Sequence, residues 1–144
     1  MKTTLRIVIL LLCLCGVTLS AASLRSHYAT TTTEFCDLNE TFNCDIVNRS
    51  KFSEVFGFPV AAIGLIGYVV LLALTAGKNR ALLIVRLYMS LAGFVFALYL
   101  AYIEEHVLQT WCLLCIGSLI SIAGIALFSA IELWRLRRLA ESGR

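Results

Sequence analysis

The sequence predicts an all-α integral membrane protein of four spans, with one long loop outside the cytoplasm that carries a short amphipathic helix. Three observations predict it. Of the 144 residues, 60% are hydrophobic and only 15% charged, whereas soluble domains run near 45–50% and 25%. Four apolar stretches, at 5–22, 58–76, 81–103 and 111–133, each approach or exceed the ~20 residues that cross a bilayer. The basic residues also divide unevenly between the two sides that four crossings create. A chain this short is read as one domain over residues 1–144.

The charges fix the orientation. Lys2, Arg6, Lys78, Arg80, Arg86, Arg135, Arg137, Arg138 and Arg144 fall on one side, nine of the twelve basic residues. Arg25, Arg49 and Lys51 fall on the other, with seven of the nine acidic residues. Short cytoplasmic segments carry the excess of Lys and Arg, so both termini and the basic turn at 77–80 are expected inside. The loop at 24–57 and the Glu104-Glu105-His106 turn are then outside. Arg86, near the start of its span, is expected to snorkel toward the basic turn, and no charge is expected in mid-membrane. The expected surroundings are lipid, with no nucleic-acid partner.

In chain order, residues 5–22 follow Lys2 and Arg6 and end in Ser20-Ala21-Ala22-Ser23. That pattern suits a signal peptide as well as a retained first helix. Cys13 and Cys15 within it are read as packing residues, because a thiol in hydrocarbon stays protonated and inert. The loop holds Cys36 and Cys44 with seven residues between them, a spacing for a loop disulfide. From Asp45 to Phe56, apolar Ile46, Val47, Phe52, Val55 and Phe56 alternate with polar residues, which predicts an amphipathic helix on the membrane surface. Gly57 ends it and Pro59 suits the first turn of the next helix. Gly64 and Gly67 in the second span are expected to let a neighbouring helix approach.

The chemistry centres on Cys112-Leu113-Leu114-Cys115. Cysteines three apart share one helix face, with Cβ atoms roughly 5–6 Å apart, close enough for a disulfide. Near a helix start, unpaired N–H groups favour the thiolate, the reactive species. Inert packing or half a zinc site would also use such a pair. The orientation decides: Cys36, Cys44, Cys112 and Cys115 all fall on the non-cytoplasmic face, where disulfides persist. Two pairs meeting there point to dithiol redox chemistry, and the seven-residue loop spacing argues against tight zinc knuckles.

Phe35-Cys36-Asp37, Cys44-Asp45-x-Val47, Ser50, Phe56-Gly57-x-Pro59 and then Cys112-x-x-Cys115 opening the last helix together resemble the vitamin K epoxide reductase (VKOR) family, its bacterial members in particular. The resemblance covers about residues 35–120. It implies a four-transmembrane-helix bundle in a bacterial inner membrane, with the loop helix capping a site that holds a quinone beside the CxxC. It also implies a secreted thioredoxin-fold thiol oxidase as the electron donor. In that scheme Cys36 meets the partner, Cys44 exchanges with Cys112, and Cys115 faces the quinone. Ser50 falls where the family places a serine in the capping segment, and Ser50, Phe56 and Trp111 are the candidate quinone contacts. Trp111, with Trp134 and the tyrosines, is read first as part of the interfacial belt. The chain stops at Arg144 with no fused thioredoxin-like domain, so the partner is expected to be a separate protein. Leu119 stands where vertebrate members carry a tyrosine, which favours thiol:quinone chemistry over epoxide reduction.

The residues lead to the same acceptor. Exchange runs through a thiolate attacking a disulfide sulfur, with the loop supplying a mobile pair and the helix a fixed one. No dinucleotide-binding glycines, haem motif or iron–sulfur spacing is present, so a membrane quinone, of menaquinone, ubiquinone or vitamin K type, is the acceptor expected. His106 is read as a solvated rim residue. Two rival classes remain, a membrane scaffold stapled by Cys36–Cys44 and a small carrier.

Overall fold

Apolar stretches without internal proline fold as helices because a chain in lipid must satisfy its backbone internally. The computed structural model describes residues 2–30, 36, 39 and 41–142; Phe35 and Asp37 of the cysteine motif and Arg144 lie outside them. The helices are α1 (Lys2–Tyr28), α2 (Cys44–Asn48), α3 (Val60–Ala76), α4 (Arg80–Ile103) and α5 (Leu113–Ser142). α1 packs against α3 and α5, and α4 against α5 and α3, so the four long helices close a ring. Its core is Ile9, Cys13, Tyr68, Leu71, Ile122 and Ile125. Outward-facing Leu11, Ile66, Val95 and Ile120 are exposed, the apolar exterior of a bundle solvated by lipid rather than water.

Three helices are long and apolar enough to cross a membrane, among them α4 continued to Leu108, and α3 is a shorter apolar helix of 17 residues. α3 begins later than residue 58 because Phe58–Pro59 pairs as a strand with Glu54–Val55. Phe56 and Gly57 form the tip, with φ of 53° and 81°, the left-handed pair that a two-residue hairpin turn needs. The expected amphipathic helix over 45–56 is therefore broken. α2 ends at Asn48, a 3-10 turn covers Lys51–Ser53, and the hairpin follows. Of the two glycines expected at a helix contact, Gly64 meets Ser20 of α1, whereas Gly67 has open space beside it.

α1 runs well past residue 22, to Tyr28. Its last turns carry no Gly or Pro, and Ser23 and Ser26 there are buried against the loop. Arg86 departs furthest from expectation. It is 0% exposed, donating from Nη2 to Glu132 Oε2 at 2.6 Å and from Nε to Ser129 Oγ at 3.0 Å. Arg6 adds Nε to Glu132 Oε1 at 3.5 Å and Nη2 to the Gly77 carbonyl at 3.2 Å. Arg86 does not snorkel, and charged side chains do lie inside the bundle. A buried arginine is tolerable where a carboxylate meets it, and Glu132 on α5 supplies one.

Candidate active site

The site lies at the end of the ring that carries α2 and the loop. α4 does not stop at a simple turn there. Glu104–Leu108 forms a π turn, and Gln109 follows in the left-handed region at φ 50°. Wide turns of this kind re-aim side chains, and this one leaves Glu104 only 3% exposed. The chain then runs beside the loop: Trp111 N donates to Thr41 O at 2.8 Å, and Asn43 N donates to Trp111 O at 3.1 Å. These two bonds set Cys112 next to Cys44.

Cys36 and Cys44 form a disulfide with Cα atoms 5.4 Å apart. Cys44 opens α2, whose first turn is capped by Asn43 Oδ1 accepting from Asp45 N and Ile46 N. α2 is fastened to the far end of α1. Ser23 Oγ donates to Asn48 Oδ1 at 2.6 Å, Ser26 Oγ to Asp45 Oδ1 at 2.5 Å, and Arg49 Nε to Ser26 O at 3.4 Å. The helical residues beyond 22 are thus the platform that holds Cys44.

Cys112 and Cys115 are free thiols. Cys112 is fully buried, and its Sγ lies 3.3 Å from Cys44 Sγ. It precedes α5 rather than standing within its first turn. Its sulfur therefore accepts from Cys115 N at 3.4 Å and from Asn48 Nδ2 at 3.9 Å. The Cys115 thiol and the backbone N–H groups of Cys115 and Leu114 pull the Cys112 pKa below that of an ordinary thiol, against opposing contributions from burial and the Glu104 carboxylate. This is the environment of a nucleophilic cysteine. Glu104 Oε2 accepts the Cys112 backbone N–H at 3.1 Å.

A cavity of about 300 Å³ opens from this cluster into the ring. Cys115, Glu104, His27 and Asn48 line its polar end, while Tyr68, Leu71, Met89 and Ile122 line its apolar depth. Its size falls at the small end of the range for ligand pockets. Apolar walls with few polar groups, and a thiol among them, fit the flat headgroup of a quinone. Of the candidate contacts, Ser50 lines this cavity, and its hydroxyl donates to Val47 O at 2.8 Å. Phe56 and Trp111 are not part of the lining. Phe56 stands 98% exposed at the hairpin tip, placed there by the turn it forms, and Trp111 is committed to the bridge with Phe42. His106 stacks on Tyr102 on the exposed side.

Three side chains at the site were not singled out from the sequence: Glu104, Asn48 and His27. For Glu104 a signal was available, an acidic residue closing an apolar span eight positions before the CxxC. Asn48 and His27 carried none, being ordinary loop-type residues until the fold turns them inward.

The sequence matches the profile of the family described as the Vitamin K epoxide reductase family over residues 7–130, a stretch that takes in both cysteine pairs, all the cavity-lining residues and Arg86. Its members are oxidoreductases of thiols and disulfides in membranes, associated with quinone and thioredoxin-like partners. By this match the chain belongs to the vitamin K epoxide reductase family.

Proposed function

We propose that the protein is a thiol:quinone oxidoreductase that takes electrons from a thioredoxin-fold partner outside the cytoplasm and supports disulfide formation there. The observation that carries this reading is the continuity of the sulfurs. Cys44 Sγ lies 3.3 Å from Cys112 Sγ, and Cys115, the other member of the helix pair, lines the cavity. In this reading α3 spans the bilayer as the fourth crossing, and the cysteines face the periplasmic side of a bacterial inner membrane. The uneven charge distribution supports that orientation.

A partner thiolate attacks Cys36, freeing Cys44. Cys44 then attacks Cys112 of an oxidised helix pair, and Cys115 leaves as thiolate. The partner's second thiolate attacks its own sulfur in the mixed disulfide, which releases the partner oxidised and Cys36 as thiolate. Cys36 then attacks Cys44 of the Cys44–Cys112 bond, closing Cys36–Cys44 and leaving Cys112 and Cys115 reduced, the arrangement of the structure. A quinone, when bound, supplies an acceptor for two electrons and two protons. The chain's own part is to keep the Cys112 sulfur nucleophilic through the Cys115 and Asn48 N–H groups, to hold Cys115 at the cavity, and to exclude water with Tyr68 and Leu71.

The test is oxidation of a reduced dithiol by the purified protein with a short-chain benzoquinone, followed as loss of quinone absorbance. Wild-type protein should turn over, and Cys112→Ala and Cys115→Ala should not. Full activity in either variant removes the CxxC from the reaction and returns the scaffold reading.

A further inference from the structure

Glu104 is a buried carboxyl that accepts the Cys112 backbone N–H at 3.1 Å. It also interacts with the Cys115 thiol, and it lines the same cavity. The π turn exists at the cost of a regular helix end and turns this side chain inward while Glu105 and His106 stay exposed. A carboxylate in that position does not help the thiolates electrostatically, because its negative charge opposes theirs. Nor does a backbone N–H require a carboxylate, since an amide oxygen would accept as well. What an acid can do there and an amide cannot is change protonation state.

We propose that Glu104 is the proton carrier between the Cys115 thiol and the acceptor oxygen in the cavity. The inference rests on the thiol:quinone reading. Oxidation of the helix pair breaks two S–H bonds, forms the Cys112–Cys115 bond and releases two electrons and two protons. Both electrons go to the quinone. The Glu104 carboxylate takes the Cys115 proton as the sulfur–sulfur bond forms, passes it to the reduced acceptor's oxygen and returns to carboxylate. The Cys112 proton leaves for solvent at the loop, and solvent supplies the other oxygen. The groups facing Glu104 are Cys112 and Cys115 from the α5 side, the Cys44 disulfide beyond Cys112, and His27 and Tyr68 around the cavity from α1 and α3.

Glu104→Gln separates this role from a structural one, because it keeps the side chain's size and an acceptor oxygen for the Cys112 N–H. Two measurements are made on reduced protein: single-turnover oxidation by a short-chain benzoquinone, and iodoacetamide alkylation of Cys112 without quinone. The two should move in opposite directions. Quinone-driven oxidation should fall by about 10²–10⁴, the usual share of a general acid–base group. Alkylation at a given pH should speed up, because a negative charge beside the thiolate has gone. A purely structural role predicts that both fall together, and that outcome overturns the proposal. So does an E104Q oxidation rate within about threefold of wild type, against that same expected loss. If E104Q melts well below wild type, Glu104→Asp carries the test. It keeps a carboxylate, so a loss as deep as that of E104Q overturns the proton role, and retention of most activity supports it. A wild-type protein that no quinone oxidises fails earlier, at the thiol:quinone reading itself, and takes this proposal with it.

Discussion

Replacing Cys36 and Cys115 together by alanine leaves Cys44 and Cys112 as the only two site thiols, with sulfurs 3.3 Å apart in the parent structure. A disulfide needs about 2.05 Å, so closing the bond asks for a movement of little more than ~1 Å shared between two side chains. The competing product under oxidation by glutathione disulfide is a mixed disulfide with glutathione. Well-placed reacting groups reach effective concentrations of roughly 10⁵ M at the low end, and a ~1 Å misplacement costs about 10². That leaves on the order of 10³ M against ~1 mM glutathione, about a millionfold preference for the internal bond. Even a large error in that figure leaves the Cys44–Cys112 product dominant. Non-reducing mass mapping of the proteolysed protein reads the outcome directly. Cys44 found chiefly as its glutathione adduct, or linked to Cys13 or Cys15, would refute the relay order, because the geometry would then not be the one the protein visits in solution.

Other expectations follow from the same contacts. Cys36→Ala alone should block exchange with a thioredoxin-fold protein while sparing dithiothreitol, which reaches Cys112 directly; equal loss of both activities argues against Cys36 as the entry point. Because the Cys112 pKa is lowered, its thiolate is present above that pKa and lost only as pH falls through it. Its alkylation in the reduced protein should therefore persist to lower pH than that of a free cysteine, and a midpoint at or above the ordinary thiol value contradicts the site's electrostatics. Glu132→Gln strands Arg86 and Arg6, and breaking a buried pair this way costs about 3–5 kcal/mol; unfolding in mixed micelles should show it, and Arg86→Met with Glu132→Leu should recover most of the loss. A reporter active only outside the cytoplasm should work when inserted near Ala29 and stay silent after Arg138, and the reverse pattern would put the thiols in the cytosol.

The sequence carried the parts of the site that are chemically distinctive and hid those that depend on three-dimensional register. Cysteine is rare enough that two pairs on one face read directly, and apolar runs announce their helices. Arg86 could not be read correctly, because its partner Glu132 lies 46 residues away and nothing local says that the two helices align them. The loop helix failed for a different reason. Ile46, Val47, Phe52, Val55 and Phe56 fit a helical face, but Glu54-Val55 and Phe58-Pro59 flank a Phe-Gly pair that reaches positive φ, and the hairpin wins. Glu104 was read as one of three turn residues. Only the π turn distinguishes it from Glu105 beside it.

That register also divides the labour within the loop pair. Cys44 is the first residue of a capped helix that Ser23, Ser26 and Arg49 fasten to α1. For Cys36, the one described backbone bond is the Cys44 N–H donating to its carbonyl at 3.4 Å. When the disulfide opens, the sulfur at Cys44 is therefore held beside Cys112. Cys36 is only 3% exposed while the bond is closed, so in the proposed relay a partner's thiolate reaches it only after the site opens locally. The entry step at Cys36 thus depends on a partner able to open the site around it. The pair is therefore more than a loop staple, because its Cys44 sulfur is held 3.3 Å from the Cys112 sulfur.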